Sequence, residues 1–347
     1  MGKVKDELLF TLLKNYLTVY LPERRKASPN TIITYRTVWN KLLDYVAEKK
    51  KKRFFAVTLA DIDKDTVLSF LDSTPSGKKM SDSTFNNRLA AIKAFLAYAS
   101  ACSPEYIIRF NEIGAIKSRK VDLFRGVDYM SEAAVKALLN VPNPKNPTGL
   151  RDQFFMILLY DTGSRIQEIL GIHICDIKLG NTPTVMLCGK GRKNRIVPIM
   201  KDTVKHLQNY LQAFHPDENE YSKELLFYSV RRGIRLPLCD DTMRIRLQKY
   251  ADIARKECNE VPEKVYPHLW RHTRAMHLYQ NGMDLSLISQ WLGHEQLTTT
   301  LVYAHADTEA KRLAIEKAMA VKDVTSNINT ERYVVDDEET IKKLYGL

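Results

Sequence analysis

Two domains, both mainly helical, with one small β-hairpin or sheet confined to the second, are the α+β architecture this sequence predicts. Three observations predict it. The chain has 347 residues, the length of about two domains. Apolar residues recur at three- and four-residue spacing through most of the chain, the period of a half-buried helix. A single pair of short β-like runs, Thr184–Cys188 and Arg195–Ile199, flanks the turn Gly189-Lys190-Gly191-Arg192-Lys193-Asn194, which is the pattern of a hairpin with a basic tip.

Residues 1–115 read as a first domain of four or five short helices around one core. Ser28-Pro29 is an N-cap followed by proline at the first helical position. Ile33, Tyr35, Val38, Trp39, Leu42, Leu43 and Val46 then give one apolar face, up to the basic run Lys49-Lys50-Lys51-Lys52-Arg53. Ser81 starts a second clear helix with Phe85, Leu89, Ile92, Phe95 and Leu96 on one side. Weaker helical patterns lie near 7–19 and 62–72, and the loop at 73–79 separates two of the helices. Residues 116–130 are basic and aperiodic and read as a linker. The second domain spans 131–322. A helix begins at Ser131, an apolar and therefore buried helix covers 151–160, the hairpin follows, and from Thr203 helical patterns continue with interruptions to about 320. The tail, 323–347, holds an extended stretch at Arg332–Val335. Acidic Asp336, Asp337, Glu338 and Glu339 then precede Ile341 and Leu344, an order that suits a short terminal helix.

Composition narrows the class of molecule. Hydrophobic residues at 44% and charged residues at 27% are globular values and exclude a mostly disordered chain. No run of about 18 apolar residues marks a membrane span. The start, MGKVKDELLF, has neither the apolar core nor the cleavage site of a signal peptide. Five widely spaced cysteines (Cys102, Cys175, Cys188, Cys239, Cys258) form no CxxC pair, which fits a reduced, cytoplasmic protein rather than a disulfide scaffold or zinc site. The net charge of +12 is uneven: residues 1–125 carry 23 Lys+Arg against 13 Asp+Glu, and the remainder 30 against 28. That asymmetry suggests a polyanionic partner for the first third. Arg36, Lys41, Arg88 and Lys93 there are equally readable as DNA contacts or as solvated charges.

Four segments of the second domain carry chemistry. In Asp161-Thr162-Gly163-Ser164-Arg165-Ile166-Gln167-Glu168, Gly163 ends one helix and Arg165 begins the next, at a helix N-terminus that favours an anion. Taken alone, Arg165 also reads as a surface residue paired with Glu168 one turn on. Lys190 sits at the hairpin tip between two glycines and can reach a ligand over the sheet edge, or be a solvated turn lysine. In His268-Leu269-Trp270-Arg271 the spacing puts His268 and Arg271 on one helical face, where together they can hold and protonate a phosphate; in isolation a buried His beside a surface Arg is the simpler reading. In the fourth, Gly293 looks like a helix stop, His294 opens a turn, and Tyr303 follows nine residues later, where another core tyrosine would be unremarkable.

Together, and in this order, the segments resemble the tyrosine recombinase (phage integrase) family, whose pattern Arg…Lys…His-x-x-Arg…His…Tyr reads here as Arg165, Lys190, His268, Arg271, His294 and Tyr303. The resemblance covers roughly 125–320. Trp270 stands where the family usually has Leu, Ser164 where Leu, Met or Ala is common, and Arg274 and Met276 where aromatic or small residues occur; none replaces a matched side chain. The resemblance implies a helical core-binding domain and a catalytic domain that clamp a DNA duplex. It implies a site-specific recombinase that cuts and rejoins DNA through a 3′-phosphotyrosine on Tyr303, with Arg165, Arg271 and His294 on the non-bridging oxygens, His268 as base and Lys190 as acid. The partners implied are double-stranded DNA with a specific site and three further copies in a synaptic tetramer, with accessory DNA-bending proteins as possible additions; the tail docks on a neighbouring subunit. No cofactor, metal or ATP is expected, since no carboxylate cluster or Walker motif accompanies the site. Two alternatives stay open: a type IB topoisomerase, against which the helical first domain and the tail weigh, and a non-catalytic DNA-binding regulator, against which the complete set of six side chains weighs.

Overall fold

The structure, a computed structural model, describes residues 4–73, 80–120, 127–189, 193–294, 296, 299–306, 312 and 337–346. The chain divides into two compact units, Met1–Asp122 and Leu123–Leu347.

In the first unit α1 (Glu7–Asn15) runs on as a π-helix over Tyr16–Arg24, followed by α2 (Pro29–Lys49), α3 (Lys64–Asp72), α4 (Asp82–Cys102) and α5 (Ile107–Gly114). Each of α1 to α4 starts where a short polar side chain takes up a first-turn N–H that the helix cannot satisfy itself: Asp6, Ser28, Asp63 and Ser81 accept from Leu9, Thr31, Thr66 and Thr84. Not all the helices are short, for α2 and α4 each run to 21 residues. Both are long enough to lay an apolar face along the whole core. The Phe95 ring is its centre, edge-on to Trp39 at 4.5 Å and to Tyr16 at 5.5 Å. The four basic residues left open in the sequence separate here. Lys93 donates to the carbonyls of Gly114 and Ile116 and so ties down the end of α5. Arg88 lies over the Phe70 ring, while Arg36 and Lys41 are exposed.

The second unit holds α6 (Glu132–Asn140), α7 (Pro147–Thr162), α8 (Ile166–Leu170), β1 (Ile177–Lys178), β2 (Thr184–Cys188), β3 (Asn194–Pro198), α9 (Lys201–Phe214), β4 (Tyr228–Arg231), β5 (Ile234–Pro237), α10 (Asp240–Ala254), α11 (Pro267–Gln280), α12 (Leu285–Leu292), α13 (Leu301–Ala306) and α14 (Glu338–Leu344). The β2–β3 hairpin pairs in the register Leu187↔Arg195, and β1 adds a third antiparallel strand through Ile177↔Val185. A two-residue strand is too short to show a period.

The reading of interrupted helical pattern after Thr203 needs correction at one of its interruptions, because β4 and β5 form a second hairpin. Its turn residues Arg232 and Gly233 have φ of 52° and 77°, the left-handed pair that a two-residue hairpin turn requires. Val230, Arg231, Ile234, Arg235 and Leu236 are all exposed, so no alternation of buried and exposed residues revealed the strands. The extended stretch expected at Arg332–Val335 lies outside the described residues.

α7 is the spine of this unit. Phe154, Phe155, Leu158 and Leu159 are buried in the core. On the same helix the wholly buried Asp152 receives Arg151 and, from α10, Arg246 at 2.6 Å and the Tyr250 hydroxyl at 2.7 Å. A buried carboxylate is tolerated only with such full pairing. A smaller cluster, Ala275 and Met276 of α11 with Ile288 and Leu292 of α12, encloses the Tyr303 ring from α13.

Phe95→Ala is expected to cost ~3–5 kcal/mol by opening a cavity at the centre of the first core, seen as an earlier unfolding transition of the full chain in urea. An unchanged midpoint would show that the ring is not central to that core.

Candidate active site

Arg271 is the residue around which the site is arranged. Pro267 starts α11 after an extended Tyr266, and the helical period then puts His268 and Arg271 on one face. Their exposure is the reverse of the simple expectation: His268 is exposed and Arg271 is 3% exposed. The Arg271 guanidinium donates to Gly163 O at 2.9 Å and Leu292 O at 2.7 Å. These carbonyls end α7 and α12, each closed by a glycine in the left-handed region, Gly163 (φ 57°) and Gly293 (φ 66°). Helix C-termini carry partial negative charge, so two of them together hold a buried cation that has no carboxylate of its own. Of its five N–H donors, these bonds use two.

Among the described residues, Glu168 is the carboxylate that Arg165 and Arg195 share. Arg165 caps α8, its N–H donating to Glu168 Oε2 and its Nη1 to Oε1, both at 2.8 Å. From β3, Arg195 forks onto the same carboxylate at 3.0 and 2.7 Å and sends Nε to Trp291 O at 2.9 Å. Burial opposes ionisation of Glu168, but the hydrogen bonds from Arg195 and Arg165 win and hold its carboxyl down to about 2. The Arg165–Glu168 pair foreseen as an alternative therefore exists, without taking Arg165 out of the site: its side chain is 37% exposed, and its charge is felt by Arg271, His268 and His294.

Tyr303 is 1% exposed, and burial pushes its hydroxyl up to about 12, although the charge of Arg271 pulls the other way. That hydroxyl meets His272 Nδ1 at 3.0 Å. His294 Nδ1 meets Thr300 Oγ1 at 2.8 Å. When the threonine donates this bond, the one N–H of the neutral ring is on Nε2 and remains to serve a ligand. Burial first, then the charges of Arg271 and Arg165, press His294 down to about 4. Burial, with His268 and Arg271 adding to it, does the same to His272. His268 is lowered by its surroundings and by Arg271 and Arg165.

The structure thus brings together Arg165, His268, Arg271, His294 and Tyr303, from α8, α11, the turn after α12 and α13. Lys190 lies outside the described residues. The residue before it, Gly189, borders the ion pair, since a Cβ there would stand 3.5 Å from Glu168 Oε1. Three guanidinium groups face one carboxylate, and the imidazoles are neutral. Among the described residues the centre carries excess positive charge, which suits an anion with several oxygens. Among the described residues, no group of three or more His, Cys, Asp or Glu is placed to hold a metal ion, and no helix is long and apolar enough to cross a membrane.

Three participants went unnoticed in the sequence. Arg195 looked like an ordinary strand residue; its signal was a charge in a short strand otherwise carrying Ile196 and Val197. Glu168 was seen as a partner of Arg165 alone. His272 was overlooked because it adjoins Arg271 outside the His-x-x-Arg spacing. The departures from the family pattern also find their places. Trp270 fills the core, Ser164 bonds the Thr162 hydroxyl, and Arg274 pairs with Asp161 while covering the Tyr160 ring.

The depressed Glu168 carboxyl links stability to pH. Unfolded, it titrates near 4.5; folded, at about 2. Its contribution of ~3 kcal/mol is therefore complete above about 4.5 and lost as the pH falls toward 2. Urea unfolding across that window is expected to show the loss in the wild type and not in Glu168→Gln. Parallel curves for the two would contradict the assignment.

Comparison with known proteins places the chain. The family model described as "Phage integrase family" matches residues 128–310, and "Phage integrase, N-terminal SAM-like domain" matches residues 13–101. A putative integrase/recombinase y4rC of Sinorhizobium fredii is 32% identical over 314 residues, covering 90% of this chain and 92% of the relative. Tyrosine recombinase XerD of Vibrio cholerae is 30% identical over 299 residues, 86% of this chain and 92% of the relative. In fold, the chain is similar to XerH recombinase in a post-cleavage complex with palindromic difH (TM-score 0.61, 24% identity, 92% of this chain and 90% of that one). It is also similar to a lambda integrase tetramer bound to a Holliday junction (TM-score 0.59, 16% identity, 94% and 80%). The chain belongs to the phage integrase family and is a tyrosine recombinase.

Proposed function

We propose that this site-specific DNA recombinase breaks and rejoins duplex DNA through Tyr303. The observation that carries this reading is the placement of the Tyr303 hydroxyl in a centre where, among the described residues, Arg165 and Arg195 share the carboxylate of Glu168 and the charge of Arg271 acts on the hydroxyl. A phosphodiester under attack gathers negative charge on its non-bridging oxygens, and fixed donors in an enclosed site are worth most there. Arg165, Arg271 and His294 Nε2 would serve those oxygens. Tyr303 Oη would bond to phosphorus as the bond to the 5′-oxygen breaks, leaving a 3′-phosphotyrosine and a 5′-hydroxyl, protonated by Lys190. Covalent catalysis divides the exchange into two reversible steps. The phosphotyrosine keeps the energy of the broken bond, so rejoining needs no nucleotide.

Support for the DNA partner comes from the relatives and from charge. The solved structures similar in fold carry DNA substrates. The excess of positive charge lies in the first 125 residues, where Arg36 and Lys41 are exposed for phosphate contact. In this reading both units contact the duplex, and four chains act on two duplexes in the cytoplasm. The tail is the device for assembly. α14 starts on Asp337, whose carboxylate accepts the N–H groups of Glu339 and Thr340, and it carries exposed Ile341, Leu344 and Tyr345. That apolar set suits docking on a neighbouring chain.

Two outcomes are expected. On a nicked suicide duplex carrying the mapped cleavage site, the wild-type chain forms a covalent adduct and Tyr303→Phe forms none; an adduct that persists in Tyr303→Phe would assign the nucleophile elsewhere. Truncation after residue 322 leaves cleavage of a single site intact but abolishes the four-chain synaptic complex in sizing experiments; normal assembly and recombination by the truncated chain would refute trans docking.

A further inference from the structure

The attack by Tyr303 requires that its proton go somewhere, and the resemblance to the family points to His268. The geometry points to a different side chain, and we infer that His272 is the proton acceptor for Tyr303. The inference rests on the reading of Tyr303 as nucleophile.

His272 touches the reacting atom itself, with Nδ1 3.0 Å from Tyr303 Oη and the two rings 5.9 Å apart. Among the described residues, this is the only hydrogen bond found for the Tyr303 hydroxyl. The bond joins α11 to α13, so the imidazole both fixes where the hydroxyl points and stands ready to take its proton. His268 lies one turn earlier on α11 and is exposed, whereas the Tyr303 hydroxyl comes from a residue that is 1% exposed.

An acceptor must be neutral before the step, and the surroundings of His272 secure this. On its own helix His268 and Arg271 face it, both disfavouring its cation. His294, from the turn after α12, is within electrostatic reach. Asp128, from the segment before α6, is the one opposing charge that favours the cation. Tyr303 in turn faces Arg271.

Burial leaves Tyr303 a weak acid and His272 a weak base in the absence of DNA, so no proton moves prematurely. Two changes alter this when the scissile phosphate arrives. Its negative charge offsets Arg271 and so raises the basicity of the imidazole. As the Oη–P bond forms, the tyrosine oxygen loses its capacity to keep a proton. The proton then passes from Oη to Nδ1 while the P–O5′ bond breaks and the 5′-oxygen takes its own proton from the acid on the other side. In the reverse step His272 returns the proton to Tyr303, and the enzyme is regenerated unchanged.

The test is single-turnover cleavage of the mapped site duplex bearing a 5′-bridging phosphorothiolate. Its sulfur leaves without an acid, so the pH dependence reports only activation of the nucleophile. The wild-type profile between pH 6 and 9 is expected to be shallow. His272→Gln is expected to fall by about 10²–10³-fold at neutral pH and to gain steeply with rising pH as Tyr303 ionises unaided. His272→Ala should recover part of the rate with added imidazole, a rescue that a merely structural role would not give. His268→Gln should keep the wild-type slope. Thermal melting and duplex binding of each variant separate misfolding from loss of the acceptor. A wild-type slope in both His272 variants without imidazole rescue, or the steep slope in His268→Gln instead, would overturn the inference. Absence of any adduct from the wild-type chain would overturn the reading of Tyr303 itself, and this proposal with it.

Discussion

The buried guanidinium of Arg271 is the contact on which the site depends. It bonds the last carbonyls of α7 and α12, and so it fixes where two helices stop. The consequences spread along the chain. Where α7 stops, Arg165 is delivered to the start of α8. Where α12 stops, His294 opens the turn that leads to Tyr303. Both ends need the left-handed backbone of Gly163 and Gly293, a conformation costly for residues with a side chain. At Gly293 a Cβ would also come within 3.0 Å of the Arg195 side chain.

Arg195 binds the sheet into the same arrangement. It reaches Glu168 on α8 and the Trp291 carbonyl on α12 from β3, so the β2–β3 hairpin is anchored to the helix that Arg165 caps and to the helix that ends just before His294. Charge follows from this packing. One buried carboxylate shared by two arginines leaves a third, Arg271, hydrogen-bonded among the described residues to helix ends. Burial first, and then this positive charge, keeps His272 and His294 uncharged. Bulk charge acts separately: in the proposed function the basic first 125 residues would supply salt-sensitive affinity for any duplex.

Much of this was legible in the sequence because it depends on local rules. Ser28, Ser81 and Ser131 mark helix starts by the chemistry of their side chains. Gly163 and Gly293 mark helix ends, and the apolar run 151–160 marks a buried helix. The spacing of His268 and Arg271 follows from the helical period. What was not legible depends on contacts distant in sequence or on the absence of a period. In the second hairpin Tyr228 is buried at the start of β4 and the residues from Val230 to Pro237 are exposed, which leaves no alternation. Arg195 gains its importance only when β3 meets α8, 27 residues away in the chain. His272 gains its own only when α13 folds back across α11, and nothing in His-x-x-Arg spacing says that the residue after the arginine faces the tyrosine.

In the proposed mechanism a positively charged centre receives the scissile phosphate, and burial together with that charge holds the imidazoles neutral until it arrives. NMR titration of the histidine rings in full-length Tyr303→Phe, alone and on a duplex containing the cleavage site, tests it directly. His294 is expected to titrate at about 4 without DNA and well above that on the duplex, as the phosphate offsets Arg271 and Arg165. An unchanged His294 titration in a complex that engages the scissile phosphate would contradict it.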